Sequence, residues 1–122
     1  MVEESAESPI IFHETAREIE SHIASPEAYY NFLDGYMHEQ VGELRDALVK
    51  YEQALSSDDK SLFLLSRVAI LQVKLGYVKK SIETINRLIS LTPRSATALF
   101  LLAELYFSTG DYEKAVETYD QL

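Results

Sequence analysis

A chain of 122 residues suffices for one domain with a modest core, and its lack of cysteine excludes disulfides, thiolate metal sites and cysteine nucleophiles. Hydrophobic residues make up 47% and charged residues 25%, a balance that excludes wholesale disorder. The net charge of −9 repels phosphate backbones, and Lys74, Lys79 and Lys80 form too small a basic patch to reverse it, so nucleic acid is not an expected partner.

Residues 1–11 are polar and acidic for most of their length and read as a disordered start. They do not have the pattern of a secretory leader, which favours the cytoplasm; a leader removed ahead of Met1 would instead place the chain in the periplasm. Residues 12–25 predict an amphipathic helix, because Phe12, Ala16, Ile19 and Ile23 fall on one helical face. That stripe must find a cover. Ser25 then reads as an N-cap with Pro26 in the first turn of the next helix.

From residue 28 the sequence repeats itself. Gly42, Gly76 and Gly110 recur at intervals of 34 residues, with the small residues Ala47, Ser81 and Ala115 five places after each. Tyr51, Ile85 and Tyr119 form a further column, as do Gly35, Ala69 and Ala103 upstream of the glycines. A period of this length decides the architecture. Three units follow, 28–61, 62–95 and an incomplete 96–122, each carrying two helices with apolar residues at helical spacing. The glycines end the first helix of each unit. Asp111 caps the second helix of the last unit, and Pro93 closes the middle unit. No apolar run reaches the roughly 18–20 residues of a membrane span, so membrane insertion is not expected.

These columns resemble the tetratricopeptide repeat family. The last unit carries the pattern in Leu99, Leu102, Ala103, Tyr106, Gly110, Asp111, Tyr112, Ala115 and Tyr119. The middle unit matches at Leu65, Val68, Ala69, Gly76, Ile82, Leu88 and Pro93, with Gln72 where the family has tyrosine. The first unit matches in its second helix, through Ala47, Tyr51 and Ala54, and departs in its first. There Asn31, Asp34 and His38 occupy columns that are usually buried, so the helix is expected to bury Tyr30, Leu33 and Met37 by a slight rotation or one extra residue. The resemblance implies an all-α, right-handed α-solenoid of antiparallel helix pairs, here with an extra N-terminal helix. It also implies a role in binding another protein or a peptide.

In the family the inner face of each unit's first helix lines a concave groove. By register this face comprises Tyr29, Phe32 and Tyr36, then Phe63, Ser66, Ile70, Val73 and Lys74, then Thr97, Phe100, Glu104 and Phe107. Its aromatic and aliphatic character argues against the clamp for peptide carboxylates that some family members build from lysine, asparagine and arginine. Arg67 and Lys74 are the only cations nearby. An apolar or helical segment suits such a groove better. The occupant stays open at this point: an external partner, the chain's own N-terminal helix, or neighbouring repeats if the register is shifted.

Nothing in the sequence points to catalysis. No phosphate-binding glycine loop, nucleophile elbow or dinucleotide fingerprint occurs. His13, His22 and His38 stand apart from one another and from paired carboxylates, so neither a metal nor a cofactor is expected. The last helix stops at Leu122, about a turn short, which predicts either a piece of a longer array or pairing with a second copy through an uncapped C-terminal repeat. The expected function is a non-catalytic interaction scaffold, with a self-assembling structural unit as the alternative.

Overall fold

The computed structural model describes Ile23 and residues 25–122. Six helices follow in three antiparallel pairs: α1 (Pro26–Gln40) with α2 (Leu44–Ser57), α3 (Leu62–Leu75) with α4 (Val78–Leu91), and α5 (Ala96–Ser108) with α6 (Tyr112–Asp120). Among the described residues there is no strand. Each helix packs on the next, and α3 packs directly on α5. The result is a stack of hairpins, with α1, α3 and α5 as the first helices of its units.

The sequence period reappears as a period of hydrogen bonds. Glu43 donates its N–H to the His38 carbonyl, Tyr77 to Gln72 and Asp111 to Tyr106, each at 2.9 Å. These are the six-to-one bonds that close a helix over a left-handed residue. That residue is glycine each time, with φ of 83° at Gly42, 78° at Gly76 and 85° at Gly110. At the other ends, Ser25, Ser61 and Ser95 accept backbone N–H bonds from Ala28, Leu64 and Ala98 at 3.2, 3.2 and 3.1 Å. Each satisfies an orphan donor of the first turn. Asp111 caps α6 through the Lys114 N–H, as its position predicts.

The core follows the small-residue columns. Ala47, Ala54, Ala69 and Ala103 have no exposed surface, and Leu64, Leu65, Leu71 and Ile85 fill the space between them. Gly35 belongs to this set for a different reason from the turn glycines. A Cβ there would lie 2.7 Å from two ring atoms of Tyr51, so only glycine lets α1 approach α2 this closely.

The first unit corrects one expectation. Tyr30 and Met37 are 73% and 68% exposed and Leu33 is also exposed, while α1 buries Ala28, Phe32 and Gly35 instead. The helix is neither rotated nor lengthened relative to its repeats. Tyr30 and Met37 stand 34 residues before Leu64 and Leu71, which are buried because a hairpin precedes α3. No described hairpin precedes α1. The expected disordered start, and all of the expected helix at 12–25 except Ile23 and Ser25, lie outside the described residues.

Candidate functional site

The face assembled from the sequence register runs along α1, α3 and α5, and it divides into two parts. At the first part Phe32 is completely buried. Its ring stacks on Tyr51 at 5.4 Å and on Tyr36 at 6.0 Å, and meets Phe63 edge-on at 5.2 Å. Phe32 therefore serves the core and presents no surface to a ligand, a correction to its place in the groove. Tyr29, Tyr36 and Phe63 are half-buried around it. Along α3, Ser66, Ile70 and Val73 are likewise half-buried, and Lys74 is exposed.

The second part is open. Phe100 is 49% and Phe107 57% exposed, and Thr97 is exposed beside them. Each ring leans on the last helix of the stack without being covered by it. Phe100 meets Tyr119 edge-on at 6.3 Å and Phe107 meets Tyr112 at 5.4 Å. Glu104 accepts the Tyr119 hydroxyl proton at 2.6 Å, which raises the Tyr119 pKa. Seven residues of α-helix place Phe100 and Phe107 about 10 Å apart along the axis, the spacing of two anchors on a facing helix.

Electrostatics separates the two cations of this region. Arg67 Nη2 donates to Glu39 Oε1 at 2.6 Å, and Tyr51 donates its hydroxyl to the same oxygen at 2.6 Å. The guanidinium also lies 5.7 Å from the Tyr51 ring centre. Burial and the bond to Glu39 push the Tyr51 phenol far above its ordinary range. Burial opposes the Arg67 charge, but Tyr51 and Glu39 outweigh it and hold the guanidinium charged. Arg67 is thus spent on its own unit. Sequence reasoning missed this triad because Glu39 and Tyr51 meet only once α1 and α2 fold together.

A second cluster also arises from folding. The turn at Val41–Glu43 brings Glu43 back beside the last turn of α1, where its carboxylate bonds His38 Nδ1 at 2.6 Å, and Asp34 lies 3.6 Å from the other ring nitrogen. His38, Glu43 and Asp46 hold potential ligand atoms within 4.8 Å of one another at the surface. His38 is therefore not isolated from carboxylates, as the linear sequence suggests. The Glu43 hydrogen bond raises its pKa above the usual 6.5.

Comparison with known proteins places this geometry. The tetratricopeptide repeat family model matches residues 67–122, from within α3 through α6. The chain is 39% identical over 83 residues to the DnaJ homolog subfamily C member 3 homolog of Dictyostelium discoideum, across 63% of this chain and 16% of that protein. It is 33% identical over 95 residues to the Photosystem I assembly protein Ycf3 of Rippkaea orientalis (strain PCC 8801 / RF-1), across 75% and 53%. It thus spans about half the length of one curated relative and less of the other. Among solved structures it superposes on the first TPR of Spaghetti (RPAP3), bound to the HSP90 peptide SRMEEVD, with a TM-score of 0.72 at 18% identity, covering 82% and 79% of the two chains. At that identity the likeness concerns the fold.

Proposed function

The chain belongs to the tetratricopeptide repeat family, and from that premise we propose that it is a non-catalytic scaffold whose inner face holds an apolar, helical segment of another protein. One observation carries the proposal: Phe100 and Phe107, large rings on the ligand-facing side of α5, are about half exposed. They continue the half-buried Ile70 and Val73 of α3 into an apolar strip. Exposed rings grouped in this way favour a docking surface over ordinary solvated helix. With the chain at −9, a ligand whose polar side is basic gains in encounter rate as well.

Related folds solved with an HSP90 peptide set the contrast. A peptide such as SRMEEVD needs unpaired cations to receive its carboxylates. Arg67 is occupied by Glu39 and Lys74 stands without a second cation from this face. The acidic peptide is therefore a non-ligand in our reading.

Fluorescence anisotropy tests both halves, with a labelled amphipathic peptide carrying leucines at i, i+3 and i+7 and lysines on its other side. The leucine peptide binds the wild-type chain, SRMEEVD does not, and Phe100→Ser with Phe107→Ser weakens binding on the order of tenfold or more, as loss of two central anchors should. Circular dichroism of the double variant stays unchanged, because both rings are at the surface. Equal affinity of the two chains, or tighter binding of SRMEEVD, would contradict the assignment.

A self-assembling unit is the second reading. Exposed Tyr30 and Met37 on the α1 flank, with exposed Tyr112 and Val116 on α6, favour it. It requires a mass that rises with concentration in light scattering; a strict monomer rules it out.

A further inference from the structure

The first unit differs from the others at positions where the repeat would have them alike. Ala28 stands 34 residues before Leu62 and 68 before Ala96. Leu62 is 42% exposed and Ala96 is exposed, yet Ala28 has no exposed surface. Phe32 and Phe100 share a column in the same way, and the first is sealed while the second is 49% exposed. The flank of α1 that carries Tyr30 and Met37 shows the opposite pattern, being bare where the later units are covered. Whatever protects α1 lies over its inner side.

The chain immediately before α1 is placed to do this. Ile23, two residues ahead of the Ser25 N-cap, is 5% exposed and belongs to the same buried cluster as Ala28 and Phe32. Ile23 is also the last member of the apolar stripe of Phe12, Ala16 and Ile19, whose spacing is that of one helical face. One end of the stripe is thus anchored inside the core on the inner side of α1, and three apolar residues upstream still need a cover.

We propose that residues 12–23 form a helix seated on the α1–α3 part of the inner face, an occupant built into the chain that an external segment must displace. Twelve helical residues reach about 18 Å. First helices stacked about 8–10 Å apart let that length cross α1 and α3 and stop near α5. The exposure pattern fits: Tyr29, Tyr36, Phe63 and Ile70 are half-buried, while Phe100 and Phe107 remain open. The tether gives the segment an effective concentration in the millimolar range, so it lowers the apparent affinity of any competitor by the fraction of time it is seated. As regulation, this rests on the reading of the inner face as a binding surface; the seating itself does not.

Because the chain has no cysteine, designed pairs report the seat directly. In the full chain, Ala16→Cys combined with Ser66→Cys probes the inner face, and Ala16→Cys combined with Met37→Cys probes the bare flank. Mild oxidation at low concentration is followed by non-reducing electrophoresis and mass spectrometry. The Ser66 pair closes within one chain roughly tenfold faster than the Met37 pair, the order that proximity confers. Adding Ile19→Asp slows that closure by a similar factor, and Glu18→Gln, on the polar side of the segment, leaves it unchanged. Faster closure of the Met37 pair, equal rates, insensitivity to Ile19→Asp, or disulfides formed only between two chains would each overturn the proposal. No ligand is present in this assay, so its failure leaves the peptide-binding reading standing. Failure of peptide binding beside rapid Ser66 closure would sink that reading alone.

Discussion

Gly35 and Gln72 carry the sharpest residue-level consequences. Gly35→Ala would add a helix-favouring methyl worth up to about 1 kcal/mol, but the methyl would collide with Tyr51. The ring cannot easily yield, because Phe32 stacks on one side of it and Glu39 holds its hydroxyl. Overpacking should win, for a net loss of about 1–3 kcal/mol, read as a lower midpoint in urea unfolding. Gln72 is the reverse case. Only 4% exposed, it leaves its side-chain Oε1 buried without a hydrogen-bond partner. Gln72→Met keeps the length and removes the orphan acceptor, and should raise stability by about 1–2 kcal/mol in the same measurement. Neither cost was legible from residue type alone. The small column predicted that Gly35 must be small, and only the Tyr51 contact says how small.

At the scale of elements, helix ends were read well and the exposed sides of α1 were not. Ser25, Gly76 and Asp111 act locally, through bonds within a few residues of themselves, so their roles follow from spacing. The orientation of α1 depends on what stands beside it, which is why Tyr30 and Met37 were assigned to the interior and emerged in solvent. The α1–α2 turn adds a pH dependence. His38 gains a Glu43 partner on folding, so its folded pKa lies above the unfolded value. Its stabilising contribution is complete below the ordinary histidine pKa and disappears as pH rises through the raised folded value. Melting temperatures of wild type and His38→Gln should therefore differ in favour of wild type near about pH 5.5 and converge near about pH 8.5, on either side of the histidine range. A gap that widens toward alkaline pH would show that the turn is held by something else.

Across the whole molecule, repetition made the architecture readable. Three glycines in phase, with small residues in phase around them, specify hairpins that stack, and the hydrogen bonds at Glu43, Tyr77 and Asp111 reproduce that phase. The candidate face was legible only as a list of positions. Phe32 and Phe100 occupy equivalent places in the sequence and have opposite fates, since burial depends on Tyr51, Phe63 and the path of the chain before Ser25. Arg67 likewise looked like an available cation until Glu39 met it across the hairpin. The central claim is that the strip from Ile70 and Val73 to Phe100 and Phe107 receives an apolar helix. Nuclear magnetic resonance titration of the isotopically labelled chain with the leucine peptide tests it most directly. Shifts concentrated on the inner residues of α3 and α5, saturating with peptide, are the predicted result; shifts confined to α2, α4 and α6, or none at all, would contradict it.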